Sequence, residues 1–404
     1  MIRLATLIEQ FEADFLDQYG DTLLPGQRRA LAAMKACRTR ASRHLQVACH
    51  ACQHTDWIPH SCGHRACPHC QHHEAEQWLQ RQRQRQLPVR YFLVTFTLPA
   101  ELRDLAWAHQ RPVYDAMIRC SWQTLAQFAQ NDRQLRGQTG AIAVLHTHSR
   151  RLDFHPHVHL VIPAGAVDDK RRLWRTKRSK GKRPYLFSHK ALAKVFRAKL
   201  LHALTEAGLH LPARYPNHWV VDCKAVGTGE KALVYLSRYL YRGVLLERHI
   251  VACEDGKVTF RYRDSKTGKY RYRTETGARF LALLLRHVLP KGFRRARNFG
   301  FLHPNRKRLI ALLQILLPNK PPAPTAPIPR PPITCPCCGQ PMVIMRTGVT
   351  PFEVSARTPN PHTPTRITGD VTNDPKPVRR AAASTSGQTR SPEKPVSAPN
   401  MTPT

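Results

Sequence analysis

Acidic residues are scarce in this chain. Its 404 residues hold 27 Asp and Glu against 64 Lys and Arg, a formal net charge of +37. Such an excess repels itself unless a polyanion neutralises it, and phosphate backbones are the usual partner. Long apolar runs are missing too: no stretch approaches the ~20 residues that a membrane-spanning helix needs. Glu9, Glu12, Asp14 and Asp17 interrupt the apolar positions near the start, so no export signal is expected and the chain reads as cytoplasmic, close to the nucleoid. Twelve cysteines in that setting read as metal ligands and reduced thiols rather than disulfides. Trp and Tyr are absent from the last 86 residues, which contain nineteen of the 33 prolines. A segment that buries so little apolar surface cannot offset its ordering entropy, and residues 319–404 are expected to be a disordered tail.

What is present begins with apolar residues at helical spacing, Leu4, Leu7, Ile8, Phe11 and Phe15, which predict a helix for core packing or for a dimer face. Two Cys-x-x-Cys turns follow, Cys49/Cys52 and Cys67/Cys70. Each such turn aims two thiolates at one point, and two turns complete a tetrahedron around structural Zn²⁺. Cys62 and His64 stand beside the second turn as replacement ligands or as parts of a second site. A further pair, Cys335/Cys338, lies in the tail, with no second cysteine pair after it.

From Tyr91 to Pro99 the chain reads as a strand, and residues 101–130 as helix. A strand over 141–148 leads into Asp153-Phe154-His155-Pro156-His157-Val158-His159-Leu160-Val161-Ile162. Residues two apart on a strand share a face, so His157 and His159 point the same way while Val158 turns into the core. Two neutral imidazoles on one rigid face make half of a divalent-metal site. His146, His148, Asp153 and His155 are all placed to supply a third ligand.

The run from Lys170 to Arg183 is densely cationic and carries Trp174. Lys170, Arg171, Arg172, Arg175, Lys177 and Arg178 are candidates for phosphate contact beside the histidines. A helix over 230–242 carries Tyr235 and Tyr239, one turn apart on one face, with Arg238 and Arg242 beside them. A β-ribbon over 257–273 follows, in which Arg261 and Arg263 alternate with tyrosines. That alternation predicts cations on one face and aromatics on the other, suited to backbone contact and base stacking in single-stranded DNA.

A tyrosine hydroxyl in line with a metal-polarised phosphodiester conserves the bond energy in a covalent phosphotyrosine. The chain resembles the two-tyrosine rolling-circle transposases of the IS-ninety-one group of insertion sequences, in the HUH endonuclease superfamily. The matching segments are the cysteine module, YFLVTFTLP at 91–99, HPHVHL at 155–160, YLSRY at 235–239 and HVLPKGFRRARNFGF at 287–301. The resemblance implies an α+β fold: an HUH-type antiparallel sheet flanked by helices, the two-histidine strand at its centre and the tyrosines on a nearby helix. It implies that His157 and His159 bind Mg²⁺ or Mn²⁺. Tyr235 and Tyr239 would attack single-stranded DNA at the element ends and target, leaving 5′-phosphotyrosine links. The expected organisation is a helical N-terminus with a zinc-ribbon-like module over 1–87, a catalytic domain over 88–318 and the tail over 319–404. A replication initiator or relaxase shares this chemistry, and a non-catalytic zinc-dependent DNA-binding protein shares the composition.

Overall fold

The computed structural model of the chain describes residues 2–178, 185–241, 244–264, 267–317, 329 and 331–350. Two helices open it, α1 (Leu4–Tyr19) and α2 (Pro25–Ala36), followed by a hairpin of β1 (His44–Ala48) and β2 (Thr55–Pro59) and by α3 (His72–Arg83). Next come β3 (Tyr91–Thr97), α4 (Arg103–Ala108), α5 (Gln110–Asn131), β4 (Gly140–His148) and β5 (Phe154–Pro163). A small hairpin, β6 (Gly165–Asp168) and β7 (Leu173–Thr176), precedes α6 (His189–Glu206), β8 (Val221–Ala225) and α7 (Glu230–Tyr241). Then follow β9 (Ile250–Glu254), β10 (Lys257–Arg263), β11 (Tyr270–Thr276), α8 (Gly277–Leu285), β12 (Ala296–Gly300), α9 (Lys307–Leu316) and β13 (Val343–Val349).

The central sheet has the order β12-β4-β5-β3-β8 and is antiparallel throughout. Strand alternation divides its side chains between two cores. Phe92, Val94, Phe96, Ala143, Leu145, Val158, Leu160 and Ile162 face α5 and α6. Tyr91, Leu93, Ile142, Val144 and Val161 face the other way, where α3, α7 and α9 contribute Trp78, Leu79, Leu233, Leu236, Ile310 and Leu313. With both faces covered, the middle strands are mostly apolar, broken chiefly by the histidines and by Thr95, Thr97 and Thr147, which is the expected α+β layering.

A third core joins parts distant in sequence. Leu7, Ile8, Phe11 and Phe15 of α1 pack with α2, α8 and Val258 and Phe260 of β10. The opening helix is thus a core helix, as one of its two sequence readings has it. Glu247 anchors its start, accepting from Leu4 N at 2.6 Å.

The tail expectation needs correcting in part. Residues 351–404 lie outside the described residues, but β13 pairs antiparallel with β1, placing Val343 against Ala48 and Ile344 against Val47. Met342 and Cys335 are buried with Val47 and Cys49. A proline-rich composition averaged over 86 residues hides this short segment, whose buried Cys335 and Met342 find their partners, Val47 and Cys49, near the other end of the chain.

Two backbone and side-chain features make testable demands. Gly300 ends β12 with φ +60°, and a Cβ there would meet Thr139 O at 1.8 Å, whereas Gly208, at φ +71°, has open space around it. Gly208→Ala should cost about 1 kcal/mol from backbone strain alone and Gly300→Ala at least ~2 kcal/mol more, because a carbonyl oxygen cannot move aside. Urea unfolding of the two variants compares them. Buried His287 donates from Nε2 to Leu152 O at 3.0 Å and lies 3.3 Å from Thr147 Oγ1 through Nδ1. Burial lowers its pKa to about 4. The unfolded chain binds this proton near pH 6.5 and the folded chain does not until about 4. Stability should therefore be indifferent to this group above pH 7 and fall as pH drops through 6.5 towards 4. His287→Gln should flatten that part of a melting-temperature profile; an unchanged profile would refute the assignment.

Candidate active site and cysteine clusters

β5 registers against both neighbours so that three imidazoles meet. His157 lies opposite His146 of β4, and His159 lies between Val144 of β4 and Thr95 of β3. All three histidines sit on the sheet face covered by α7, and their candidate ligand atoms lie within 4.8 Å of one another. The third member of the set, left open by the sequence among four residues, is His146. His148 is on the same face but is displaced by a β-bulge that pairs it with Phe154. His155 is turned to Arg103, whose guanidinium lies 2.8 Å from its Nδ1. Asp153 is held by Arg273 at 2.8 Å.

Hydrogen bonds fix which nitrogens remain available. His157 donates from Nδ1 to the carbonyl of His155 at 2.7 Å, leaving Nε2 with its lone pair. His159 Nδ1 lies 2.8 Å from Thr95 Oγ1, and its Nε2, like that of His146, is buried with no protein partner. Burial is the main reason all three imidazoles are pushed below their usual pKa, His157 to about 4. They are neutral at pH 7, the form that ligates metal. Two orphaned, buried nitrogens aimed at one point fit a divalent cation.

α7 lays the tyrosines over this cluster. The rings of Tyr235 and Tyr239 are 4.6 Å apart. Tyr239 stacks on His146 at 4.7 Å and on His148 at 5.5 Å, while Tyr235 meets His159 edge-on at 5.9 Å. Desolvation, with Tyr239 alongside, pushes the Tyr235 hydroxyl above its usual pKa. Both ends of the helix are fastened: Arg83 of α3 donates to Glu230 at 2.8 Å, and Arg295 donates to the carbonyls of Tyr239 and Leu240 at 3.0 and 3.2 Å. A cleft of about 370 Å³ opens onto the site, bordered by Arg150, Arg151 and by Tyr262 and Arg263 of the ribbon. The sequence reading missed Arg150 and Arg151; their position in the β4–β5 turn was the available signal.

The other cationic candidates are placed differently from one another. Arg238 is exposed on α7, and Arg242 lies outside the described residues. The β6–β7 hairpin carries the basic run away beyond the Pro163 end of β5, and none of its described residues lines the cleft. Lys170, Arg171, Arg172 and Arg178 are exposed, whereas Arg175 pairs with Asp168 at 3.1 Å and Lys177 with Asp132. Proximity in sequence to His159 does not survive the strand's length. The ribbon also differs from expectation. Arg261 pairs with Tyr272 and Arg263 with Tyr270, and opposed residues share a face. One face therefore mixes cations with aromatics, Arg261 lying 5.2 Å over the Tyr270 ring, and Tyr270 and Tyr272 are 57% and 64% exposed.

The cysteines do not form the single tetrahedron expected of Cys49, Cys52, Cys67 and Cys70. They split into two groups of four, Cys37 with Cys62, Cys67 and Cys70, and Cys49 with Cys52, Cys335 and Cys338. The reason is the β1–β2 hairpin, which holds Cys49 and Cys52 at its tip and returns the chain to its base before Cys62. Five paired residues span ~15 Å, several times the width of a metal site. Cys37, at the end of α2, waits at the base, 3.5 Å from Cys70 and 3.6 Å from Cys67. His64 belongs to neither group; its Nδ1 accepts from Ala66 N at 3.2 Å.

Two family models match the chain, one described as a putative transposase over residues 140–309 and one as a transposase zinc-binding domain over residues 7–98. The "Putative transposase y4qJ" of Sinorhizobium fredii is 32% identical over 344 residues, covering 78% of this chain and 85% of the relative. The "Transposase for insertion sequence element IS801" of Pseudomonas savastanoi pv. phaseolicola is 30% identical over 290 residues, 67% of this chain and 68% of the relative. Among solved structures, the conjugative relaxase TrwC in complex with mutant OriT DNA is 23% identical with a TM-score of 0.24; the match covers 32% of this chain and 48% of that one, so the chain spans about half of its length. With the zinc-binding segment followed by the transposase segment, and relatives matched over most of their length, the chain belongs to the IS-ninety-one-like transposases.

Proposed function

We propose that this transposase cuts and rejoins single-stranded DNA through Tyr235 and Tyr239, using a divalent ion held by His146, His157 and His159. The observation that carries the reading is two tyrosine rings packed over three neutral imidazoles whose free nitrogens converge. In the nicking step a tyrosine oxygen bonds to phosphorus and the bond to the 3′ oxygen breaks. The hydroxyl loses its proton, the departing 3′ oxygen gains one, and the 5′ phosphate remains on tyrosine. The bound ion would polarise the scissile phosphate and offset its charge. The Tyr235 hydroxyl, whose burial disfavours ionisation, needs such a neighbour to act near neutral pH. A second tyrosine one helical turn away allows a second strand to be held or exchanged.

Arg150, Arg151 and Arg263 at the cleft and Arg238 on α7 would take the phosphates next to the cut. The exposed face with Arg261, Tyr270 and Tyr272 suits unstacked bases. Lys170, Arg171, Arg172 and Arg178 are assigned to phosphates farther along the strand. Three imidazoles without a carboxylate favour Mn²⁺ over Mg²⁺, since Mg²⁺ prefers oxygen ligands.

The test is incubation with labelled single-stranded DNA from the element's ends, scored as a protein–DNA adduct that survives denaturation. Wild type should form it at lower Mn²⁺ than Mg²⁺ concentration. Tyr235→Phe and Tyr239→Phe should each remove the adduct at one of the two ends. His157→Ala should lower adduct formation at least ~10²-fold and leave DNA affinity close to wild type, because phosphate contacts dominate binding. Tight binding with no adduct from wild type would instead support a non-catalytic DNA-binding protein. Equal loss of binding in His157→Ala would make the histidines structural.

A further inference from the structure

The family's zinc-binding segment ends at residue 98, yet one of the two cysteine groups draws half its members from residues 335 and 338. Cys49 Sγ lies 3.5 Å from Cys338 Sγ, and Cys52 Sγ lies 3.5 Å from Cys335 Sγ. Four sulfurs around one zinc at about 2.3 Å stand about 3.8 Å apart, whereas a disulfide needs about 2.05 Å. The spacing is that of a tetrathiolate centre.

The two turns are built alike, which free thiols brought together by packing do not require. Gln53 N donates to Cys49 O at 2.9 Å, and Gly339 N donates to Cys335 O at 2.9 Å. Cys49 N donates to His54 O, and Cys335 N to Gln340 O, both at 2.8 Å. The residue after each second cysteine has positive φ, 62° at Gln53 and 72° at Gly339. Each turn therefore curls its backbone around its own cysteine pair and presents both sulfurs on one side. Cys49 and Cys335 are buried beside Val47 and Met342, under the sheet that β13 completes with β1 and β2.

We propose that Cys49, Cys52, Cys335 and Cys338 form a second Zn²⁺ centre, distinct from the one at Cys37, Cys62, Cys67 and Cys70, which clasps the segment 331–350 onto the β1–β2 hairpin. A few apolar contacts and one strand pairing are little to hold these twenty residues. Four metal–sulfur bonds convert that weak association into a fixed one, since structural zinc contributes folding energy directly. The proposal does not depend on the DNA chemistry.

The full chain, purified under reducing conditions without chelator, should contain two zinc ions by elemental analysis, and Cys335→Ser/Cys338→Ser should contain one. Wild type alone gives a second readout through mass mapping of iodoacetamide labelling. Cys49, Cys52, Cys335 and Cys338 should resist alkylation together and become reactive together when chelator strips the metal, independently of the other four. One zinc in wild type, two in the double variant, or prompt alkylation of Cys335 and Cys338 while Cys37, Cys62, Cys67 and Cys70 stay protected would overturn the proposal.

Discussion

The period-two alternation of β5 is the constraint on which the site depends. Val158, Leu160 and Ile162 go to one core and His157, His159 and Val161 to the other. Slipping the strand by one residue would bury the histidines under α5 and α6 and put their neighbours, such as Val158 and Leu160, beneath the tyrosines. Cores on both faces make such a slip costly. The same burial that fixes the register keeps the imidazoles neutral and leaves Nε2 of His146 and His159 without protein partners. An unsatisfied buried polar atom costs about 1–3 kcal/mol, so folding alone leaves a deficit at this point. On the proposed reading, a cation held by His146, His157 and His159 would remove that deficit.

The helix above is positioned by charge at one end and by carbonyl capture at the other. Arg83 meets Glu230 in the first turn of α7, and Arg295 takes the carbonyls of Tyr239 and Leu240 in its last. A cation at a helix C-terminus also suits the helix dipole. The tyrosines therefore belong to a rigid element held from α3 and from the segment before β12, and their four-residue spacing becomes a fixed separation of 4.6 Å between rings.

Much of this was legible because it is local. The strand with His157 and His159, the helix with Tyr235 and Tyr239, and the ribbon all follow from short-range periodicity, which the structure keeps. Residues that meet across long sequence separations were not legible. Nothing in the neighbourhood of His146 distinguishes it from His148; only the β4–β5 register and its bulge choose between them. Cys37 stands alone in sequence, and Cys335/Cys338 seemed partnerless because their partners precede them by more than 280 residues. The basic run after β5 was misplaced because adjacency along the chain was read as adjacency in space. In the ribbon, alternation within each strand was read correctly, but the faces depend on register across strands, and Arg261 opposite Tyr272 mixes them.

The boundary drawn at residue 87 divides motifs but not packing. Cys37 and Cys67 of the first cysteine group share a buried core with Phe11, Val258, Phe260 and Phe280. Arg65, between Cys62 and Cys67, donates to the carbonyls of Leu289, Pro290 and Phe293 at 2.7 to 3.0 Å, within the segment that leads to Arg295. Glu247 reaches both Leu4 N and His69. The cysteine turn thus orders the loop that carries the helix-capping arginine, and its core supports the ribbon beside the cleft. Arg65 beside the first cysteine group and Arg295 at the end of α7 thus hold the same short segment, Leu289 to Arg295, at its two ends. A zinc-binding segment placed in this way is part of the scaffold beneath the candidate site, because the carbonyls that Arg65 binds belong to the segment that leads to Arg295 and the tyrosine helix.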